Sequence, residues 1–518
     1  MLLTDVLRRN RALRPEVPAM IFEGRTITYG EFDERTNKTA NMLASCGIAK
    51  EDRVAILSKN CPEYVEFYFA NGRLGSVSVP LNFRLAPAEL EYIINDSEAT
   101  GLLVSDEYVD TIAGIRDRLP KVRHFFCTGA AKEGWIDYDG EVAAASSAPP
   151  QSEVHEDDLL YQMYTSGTTG RPKGAMISHR NAITNVLQVS LENPLGEGDR
   201  GLIVAPLYHA AAGIVALSLI SHGATAVIMR DFVPDQVLDI FGQERITHAL
   251  LVPAMILFLL GMPDVEKADF SALRMVMYGA SPIPAEVLRK AMAVFQCGFF
   301  QAFGQTEAVA VLTILSAADH ELAKDPANEA LLTSCGREAF GTEVRVVDEN
   351  DEEVATGELG EIIARGDQVM RGYWNLPEAS ASTLKNGWLH TGDIGAKDER
   401  GYIFIMDRIK DMIVSGGENV YPREIEEVLF THPEIADATV IGVPSDKWGE
   451  DVKAVVVRKP DSDVSEEAII AYCGERLAGY KRPRSVDFVD ALPKNPSGKV
   501  LKRELREPYW GDKARKVN

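Results

Sequence analysis

The sequence predicts an α/β protein. A large N-terminal domain of mainly parallel sheets flanked by helices is followed by a β-rich subdomain and a small α+β C-terminal unit. Three observations predict it. Short apolar runs alternate with helical stretches from Leu159 to Phe295, as in parallel sheets covered by helices. Beyond Val344 the helices stop and short strands with acidic turns begin (VRVVDENDEEVATGELGEI). After Arg408 a smaller unit mixes strands with a helix and ends in a Gly/Lys-rich tail.

The elements follow in chain order. Leu159–Tyr164 is a short apolar strand, and Ser178 caps a helix over Asn181–Leu191. Leu202–Ala205 and Thr225–Met229 read as strands, with an apolar helix at Ile214–Ile220 between them. A helix over Pro234–Gln243, strands at Leu250–Val252 and Arg274–Tyr278, and a helix over Pro284–Phe295 continue the alternation. In the last unit Thr439–Gly442 and Val452–Arg458 are strands and Ser465–Leu477 is a helix. The best boundary lies near residues 407–411.

Composition bounds the function. The chain has 518 residues, 46% hydrophobic and 25% charged, enough for a substantial core. A net charge of -23 argues against nucleic acid and against anionic membrane surfaces as partners. Salt screens that field beyond about 8 Å, so local cations decide whether an anion binds. The six cysteines form no CxxC pair, which fits a reduced cytoplasmic protein rather than a zinc site or disulfide framework. The N-terminus is charged too early for a signal peptide. The apolar runs Ala210–Ile220 and Ala249–Leu260 are too short to span a bilayer.

The most informative stretch is YTSGTTGRPKG, from Tyr164 to Gly174. Thr165, Ser166, Thr168 and Thr169 supply hydroxyls, Gly167 and Gly170 leave backbone N–H groups unhindered, and Arg171 and Lys173 add charge. That combination suits a polyphosphate. It is not a Walker A loop, because Pro172 precedes the lysine and Gly174 stands where a magnesium-binding Ser or Thr belongs. Pro172 also disfavours helix at Arg171.

Four further segments carry chemistry. FFQAFGQTE (Phe299–Glu307) puts Thr306 and Glu307 behind a strand, at the sheet edge where open α/β folds bind ligands. A carboxylate facing a phosphate loop needs a cation between them, which makes Glu307 a magnesium ligand candidate against the bland reading of an exposed strand-end Glu. WLHTGD (Trp388–Asp393) offers Asp393, after a turn glycine, to a pair of vicinal ribose hydroxyls. GYIFIMDRIKDMIVSGGENVYPREIE (Gly401–Glu426) holds a strand, an Arg, a GG turn and Pro422 at a helix start. PKNPSGKV (Pro493–Val500) presents Lys499 on a Pro/Gly loop.

Together these segments resemble the adenylate-forming superfamily, which includes acyl-CoA synthetases, adenylation domains of peptide synthetases and beetle luciferases. The similarity runs over nearly the whole chain in the same motif order. It implies an AMP-binding N-terminal domain (1–407), a hinge (408–411) and a C-terminal lid (412–518). It implies ATP, Mg2+ and CoA, and a ligase that activates a small-molecule carboxylic acid as acyl-AMP before passing the acyl group to the CoA thiol.

By the same resemblance, Thr165 to Lys173 hold the β- and γ-phosphates, with Thr165 also near the metal. Gly279, Ala280, Ser281, Gln301, Ala302 and Phe303 surround the adenine. Thr306 touches the α-phosphate and Glu307 the magnesium, while Asp393 and Arg408 bind the ribose. Lys410 is the hinge residue, and Lys499 bridges the α-phosphate and the substrate carboxylate. Ser415, Gly416, Gly417 and Glu418 line the pantetheine tunnel. His209 lies beside the acyl carbonyl, and Ala211, Gly279 and Ala302 are small residues of an apolar acyl pocket suited to a fatty, alicyclic or aryl acid. Phe303 departs from the family's usual Tyr; stacking survives that change and a phenolic hydrogen bond does not. Two alternatives stand: an acyl-AMP ligase that loads a carrier protein, and a non-catalytic nucleotide-binding relative. A homodimer is a guess that no motif supports.

Overall fold

The computed structural model describes residues 1–129, 132–165, 171–460, 462–494 and 500–511. Its strands form four sheets. The first, of seven strands, orders Ile136–Asp137, His124–Cys127, Gly101–Val104, Arg53–Leu57, Val77–Pro80, Leu159–Thr165 and Lys173–Ser178. Every pair in it is parallel except the last, an antiparallel hairpin that brackets 166–170. The hairpin bears out the expectation that Pro172 blocks a helix: the chain enters a strand at Lys173 instead.

The second sheet has nine strands. Its centre is parallel and runs Pro18–Phe22, Thr225–Ile228, Arg200–Ile203, His248–Leu250, Met275–Gly279 and Gly298–Phe303. Parallel strands point their carboxyl ends to one edge, so the loops after Ile203, Gly279 and Phe303 emerge together. Helices Leu3–Leu13, Pro62–Leu74, His179–Glu192 and Ala210–His222 contribute to one continuous apolar core with this sheet. Helix Ala210–His222 is apolar all round and is buried along most of its length, as such a helix must be. Ser178 caps its neighbour, accepting from the Asn181 N–H in a capping box.

One expected strand moves. Leu250–Val252 is strand only to Leu250, because Val252 already caps helix Pro253–Leu260. Pro253 fixes its own φ for helix and donates no N–H, so it opens the helix and ends the strand.

The third sheet is wholly antiparallel, built from Thr342–Val347, Gly360–Gly366, Leu384–Lys385, Trp388–Lys397 and Ile403–Arg408. It is the β-rich part expected after Val344. The fourth holds Ile413–Ser415, Glu418–Val420, Ile435–Ser445, Gly449–Arg458 and Ser485–Phe488, and packs helices Pro422–Phe430 and Glu466–Gly474 around a core of its own.

Candidate active site

The flanks of 166–170 are tied to helix Pro87–Asp96. Tyr164, just before the segment, donates its hydroxyl to Asp96 Oδ2 at 2.6 Å. Tyr92 donates to the Pro172 carbonyl at 3.3 Å and lies under the Arg171 guanidinium, 5.3 Å from its ring centre. Thr165 pairs with Lys173 across the hairpin. A Cβ on Gly174 would meet Gln162 Nε2 at 2.9 Å and the Tyr164 ring at 3.0 Å, so the last glycine of the motif serves packing. Ser166, Gly167, Thr168, Thr169 and Gly170 lie outside the described residues.

The adenine candidates sit on neighbouring parallel strands, with Gly279 opposite Ala302. A Cβ on Gly279 would stand 2.3 Å from the Ala302 carbonyl oxygen, so only glycine fits there. Ala280 follows with φ 68°, turning the chain away from the sheet. Gln301 and Phe303 are half-buried, and Ser281 is also half-buried beside Ala280. Behind Phe303, Thr306 and Glu307 open a short 3-10 turn. The chain then makes a γ-turn in which the Ala310 N–H donates to the Ala308 carbonyl at 2.7 Å. Val309 at its apex has φ 61° and ψ -64° and is fully buried. A β-branched residue in that region stores strain of about 1–3 kcal/mol, and such strain clusters at functional segments.

Glu307 is 8% exposed. Tyr373 donates its hydroxyl to Glu307 Oε1 at 2.6 Å, and the Met370 N–H donates to the Glu307 carbonyl at 2.7 Å. Burial and the Glu307 carboxylate push the Tyr373 phenol up, so it stays protonated and donates. Tyr373 belongs to a segment that runs beside strand Lys173–Ser178, bridging Ala175, and the Trp374 N–H donates to the Gly174 carbonyl at 2.8 Å. Lys173 Nζ lies 4.3 Å from the centre of the Tyr373 ring. Among the described residues no cluster of three or more His, Cys, Asp or Glu could hold a metal. Magnesium in nucleotide sites is commonly held by one or two carboxylates plus substrate phosphates, and a single buried carboxylate beside a phosphate-loop lysine fits that donor set.

Asp393 and Arg408 meet across antiparallel strands, and Arg408 Nε lies 3.0 Å from Asp393 Oδ1. The expected turn before Asp393 is a correction: Thr391–Asp393 lie inside strand Trp388–Lys397, where Gly392 takes φ 71° next to irregular pairing. Lys410 follows in the short link to the fourth sheet. Burial, helped by Arg408 and Arg506, lowers its ammonium pKa against Asp411 and Asp393. Helix Lys502–Trp510 holds this link through Arg506, which pairs with Asp411 at 3.0 Å, and helix Pro422–Phe430 through Lys502, which pairs with Glu426 at 2.8 Å. Burial opposes charge on Lys502, yet Glu426, Asp407 and Asp411 hold its pKa above the ordinary value. Lys499 lies outside the described residues; the chain enters and leaves 495–499 through an antiparallel bridge of Lys494 with Val500.

His209 stands at the N-cap position of helix Ala210–His222 without a side-chain cap bond, at the same sheet edge, and Ala211 is half-buried in the first turn. Burial, aided by the Arg84 charge, pushes the His209 imidazole down from 6.5 to about 4, so it is neutral at pH 7. Its Nε2 is buried without a hydrogen-bond partner among the described residues. The Tyr208 ring stands 4.4 Å from it, Phe83 5.5 Å from Tyr208, and Tyr108 5.9 Å from Phe83.

Ser415 pairs with Glu418 around the two-residue turn Gly416–Gly417, whose φ values of 64° and 87° suit a tight hairpin. A Cβ on Gly416 would also meet Trp448 Cε3 at 2.8 Å. These two local demands call for glycine before any tunnel does. A cavity of about 590 Å³ lies elsewhere, lined by Arg274, Cys297 and Gly298 among others. It opens near the amino ends of strands Met275–Gly279 and Gly298–Phe303, away from Glu307. Burial pushes its Cys297 thiol up to about 12, which leaves it inert as a nucleophile.

Sequence reasoning missed Tyr373, Asp96 and the Lys502–Arg506 grip. Tyr373 sits in RGYWN, which has no periodicity or spacing that marks a partner 66 residues away.

Comparison with known proteins identifies the family. Residues 7–374 match the AMP-binding enzyme family and residues 424–499 the AMP-binding enzyme C-terminal domain. A feruloyl-CoA synthase from Amycolatopsis sp is 40% identical over 503 residues, covering 97% of this chain and 98% of that protein. The fatty acid--[acyl-carrier-protein] ligase ScoC from Streptomyces coeruleorubidus is 38% identical over 508 residues, covering 97% and 96%. The crystal structure of ATP-bound MatB from Rhodopseudomonas palustris superposes with a TM-score of 0.89 at 31% identity, covering 99% and 100%. The chain belongs to the adenylate-forming acyl-CoA synthetase superfamily.

Proposed function

We propose that this AMP-forming acid–thiol ligase activates an aryl or fatty acid on ATP and passes the acyl group to CoA. The observation that carries the reading is the placement of Lys173 and Glu307 against one tyrosine at the phosphate hairpin. A fixed cation and a buried carboxylate there suit a metal-bound polyphosphate. The ring array of Phe83, Tyr108 and Tyr208 beside His209, with small Ala211, Gly279 and Ala302 at the same edge, supports an aryl acid first.

A carboxylate is a poor acyl donor because its leaving group is oxide. Attack of its oxygen on the ATP α-phosphorus forms a mixed anhydride and expels pyrophosphate; attack of the CoA thiol on the carbonyl then expels AMP. The first step brings two anions together, so its barrier is electrostatic. Lys173 and Thr165 orient the outer phosphates, Thr306 the α-phosphate, and Asp393, held by Arg408, the ribose. Magnesium, when bound at Glu307, neutralises phosphate charge. Lys499 supplies an ammonium between α-phosphate and carboxylate. Neutral His209 can hydrogen-bond the acyl oxygen without adding charge. The lid turns about Lys410 between the steps and brings Ser415–Glu418 to the thiol.

Two measurements test this. Thioester formation over a panel of aryl and aliphatic acids should require CoA and release AMP in step with acid consumed. Strict dependence on a carrier protein would instead favour the ligase reading that the ScoC similarity supports. Lys499→Ala should cut adenylation about a hundredfold or more, as loss of one preorganised charge does, while thioester formation from supplied acyl-AMP is largely spared. Equal loss in both half-reactions would remove the role from Lys499.

A further inference from the structure

Lys173 and Glu307 carry opposite charges and both contact Tyr373, one at its ring and the other at its hydroxyl, yet they form no ion pair among the described residues. A lysine and a carboxylate free to meet in a site of low dielectric attract strongly and would neutralise each other. Tyr373, only 5% exposed, touches both. Its phenol engages Glu307 Oε1, and its ring face holds the Lys173 ammonium by cation–π attraction.

The ring has little freedom to move. The Tyr373 N–H donates to Ser380 Oγ at 2.8 Å, and its backbone bridges Ala175 on the phosphate hairpin. The neighbouring Trp374 and Met370 N–H groups bind Gly174 and Glu307 themselves. The segment that carries Tyr373 is therefore tied to both the hairpin and Glu307.

We propose that Tyr373 is a positioning residue, a spacer that keeps Lys173 and Glu307 from pairing and aims one at the phosphates and the other at the metal of a magnesium–nucleoside triphosphate. This rests on the reading of Glu307 as the metal-binding carboxylate. The phenol ties one carboxylate oxygen and leaves Oε2 to face the metal. The ring holds the ammonium without quenching its charge, because an aromatic face offers no anion.

The test measures equilibrium ATP binding to the full chain by calorimetry, without acid or CoA. Each variant is titrated in chelator and again across a Mg2+ series. Tyr373→Phe keeps the ring and removes the hydroxyl. Its metal-free ATP affinity should match the parent, while the Mg2+ needed for half of the metal-dependent gain rises about tenfold, as loss of a hydrogen bond to a charged group implies. Tyr373→Leu removes the spacer, and metal-free ATP affinity should fall severalfold as Lys173 closes onto Glu307. Glu307→Gln is the control and should abolish the metal response.

If Glu307→Gln loses the response and Tyr373→Phe keeps it at parental Mg2+, the proposal is wrong and the Glu307 reading stands. If Glu307→Gln keeps the response, the Glu307 reading fails and the proposal with it. Unchanged metal-free binding in a folded Tyr373→Leu would overturn the spacing of Lys173. Should that variant not fold, Tyr373→Phe decides alone.

Discussion

A single backbone atom can decide a residue's identity here. Gly279 faces the Ala302 carbonyl and Gly416 faces Trp448, and neither leaves room for a methyl group. Gly416 also needs a positive φ, which L side chains adopt reluctantly. Gly416→Ala should therefore lower lid stability by about 1–3 kcal/mol, from strain and overpacking combined. Urea unfolding would read that loss. In the half-reactions the same variant should slow thioester formation and leave pyrophosphate exchange near the parental rate, because the role proposed for the turn lies in the second step. A selective loss of exchange would place the turn elsewhere. His209 makes a different point. Its burial keeps the ring neutral, so it acts as a hydrogen-bonding group at pH 7 and not as a fixed cation.

Among elements, two joints control the site. The hairpin that brackets 166–170 is clamped at both flanks by helix Pro87–Asp96 and along its edge by the segment carrying Tyr373. Backbone ladders and half-buried phenol hydrogen bonds hold the flanking residues Tyr164 and Pro172 in place. The second joint is the link between the third and fourth sheets. Arg423, at the start of helix Pro422–Phe430, donates its N–H to Asp407 Oδ2 at 3.0 Å and its guanidinium to the Ile405 carbonyl at 2.8 Å. These contacts cross Lys410 and must rearrange if the lid turns about it, whereas the Arg506–Asp411 and Lys502–Glu426 pairs lie beyond Lys410 and can turn with the lid. Proline at 410 would lock φ near -65° and remove an N–H. Lys410→Pro should stall the enzyme after adenylation, so that acyl-AMP accumulates in a quenched reaction while overall turnover falls at least tenfold. Normal turnover by a folded variant would rule out the hinge assignment.

For the molecule as a whole, buried imidazoles set the acid limit. His179, His209, His248 and His320 are each pushed from 6.5 to about 4, with burial the first cause. His320 is held as a neutral tautomer, its Nε2 2.8 Å from the Tyr278 hydroxyl and its Nδ1 2.8 Å from the Ser316 carbonyl. The unfolded chain binds protons on these rings below pH 6.5 and the folded chain does not until about pH 4. Stability is thus complete above pH 6.5 and falls as pH drops through that window. Urea midpoints between pH 7.5 and 4.5 should decline steadily, and His320→Gln should flatten part of the slope. A flat profile in the parent would mean the rings charge in place. No helix among the described residues is long and apolar enough to cross a membrane.

Periodicity and turn chemistry are local properties, and they made the alternating strands and helices, the Ser178 cap, the Pro422 helix start and the GG hairpin legible in the chain itself. The motif residues Lys173, Glu307, Asp393 and Arg408 also stood out in the chain itself, and the structure brings Lys173 and Glu307 to one tyrosine and Asp393 against Arg408. The strands before Leu159 escaped notice although they form most of a sheet, because runs as short as Val77–Pro80 take their meaning from neighbours. The Val252–Pro253 boundary and the strand around Gly392 went astray for a related reason: a proline or glycine admits two local readings, and pairing partners choose between them. Tyr373 is the clearest case. Nothing within RGYWN points to Glu307 or Lys173, since a side chain's partner across 66 or more residues exists only after the sheets have packed.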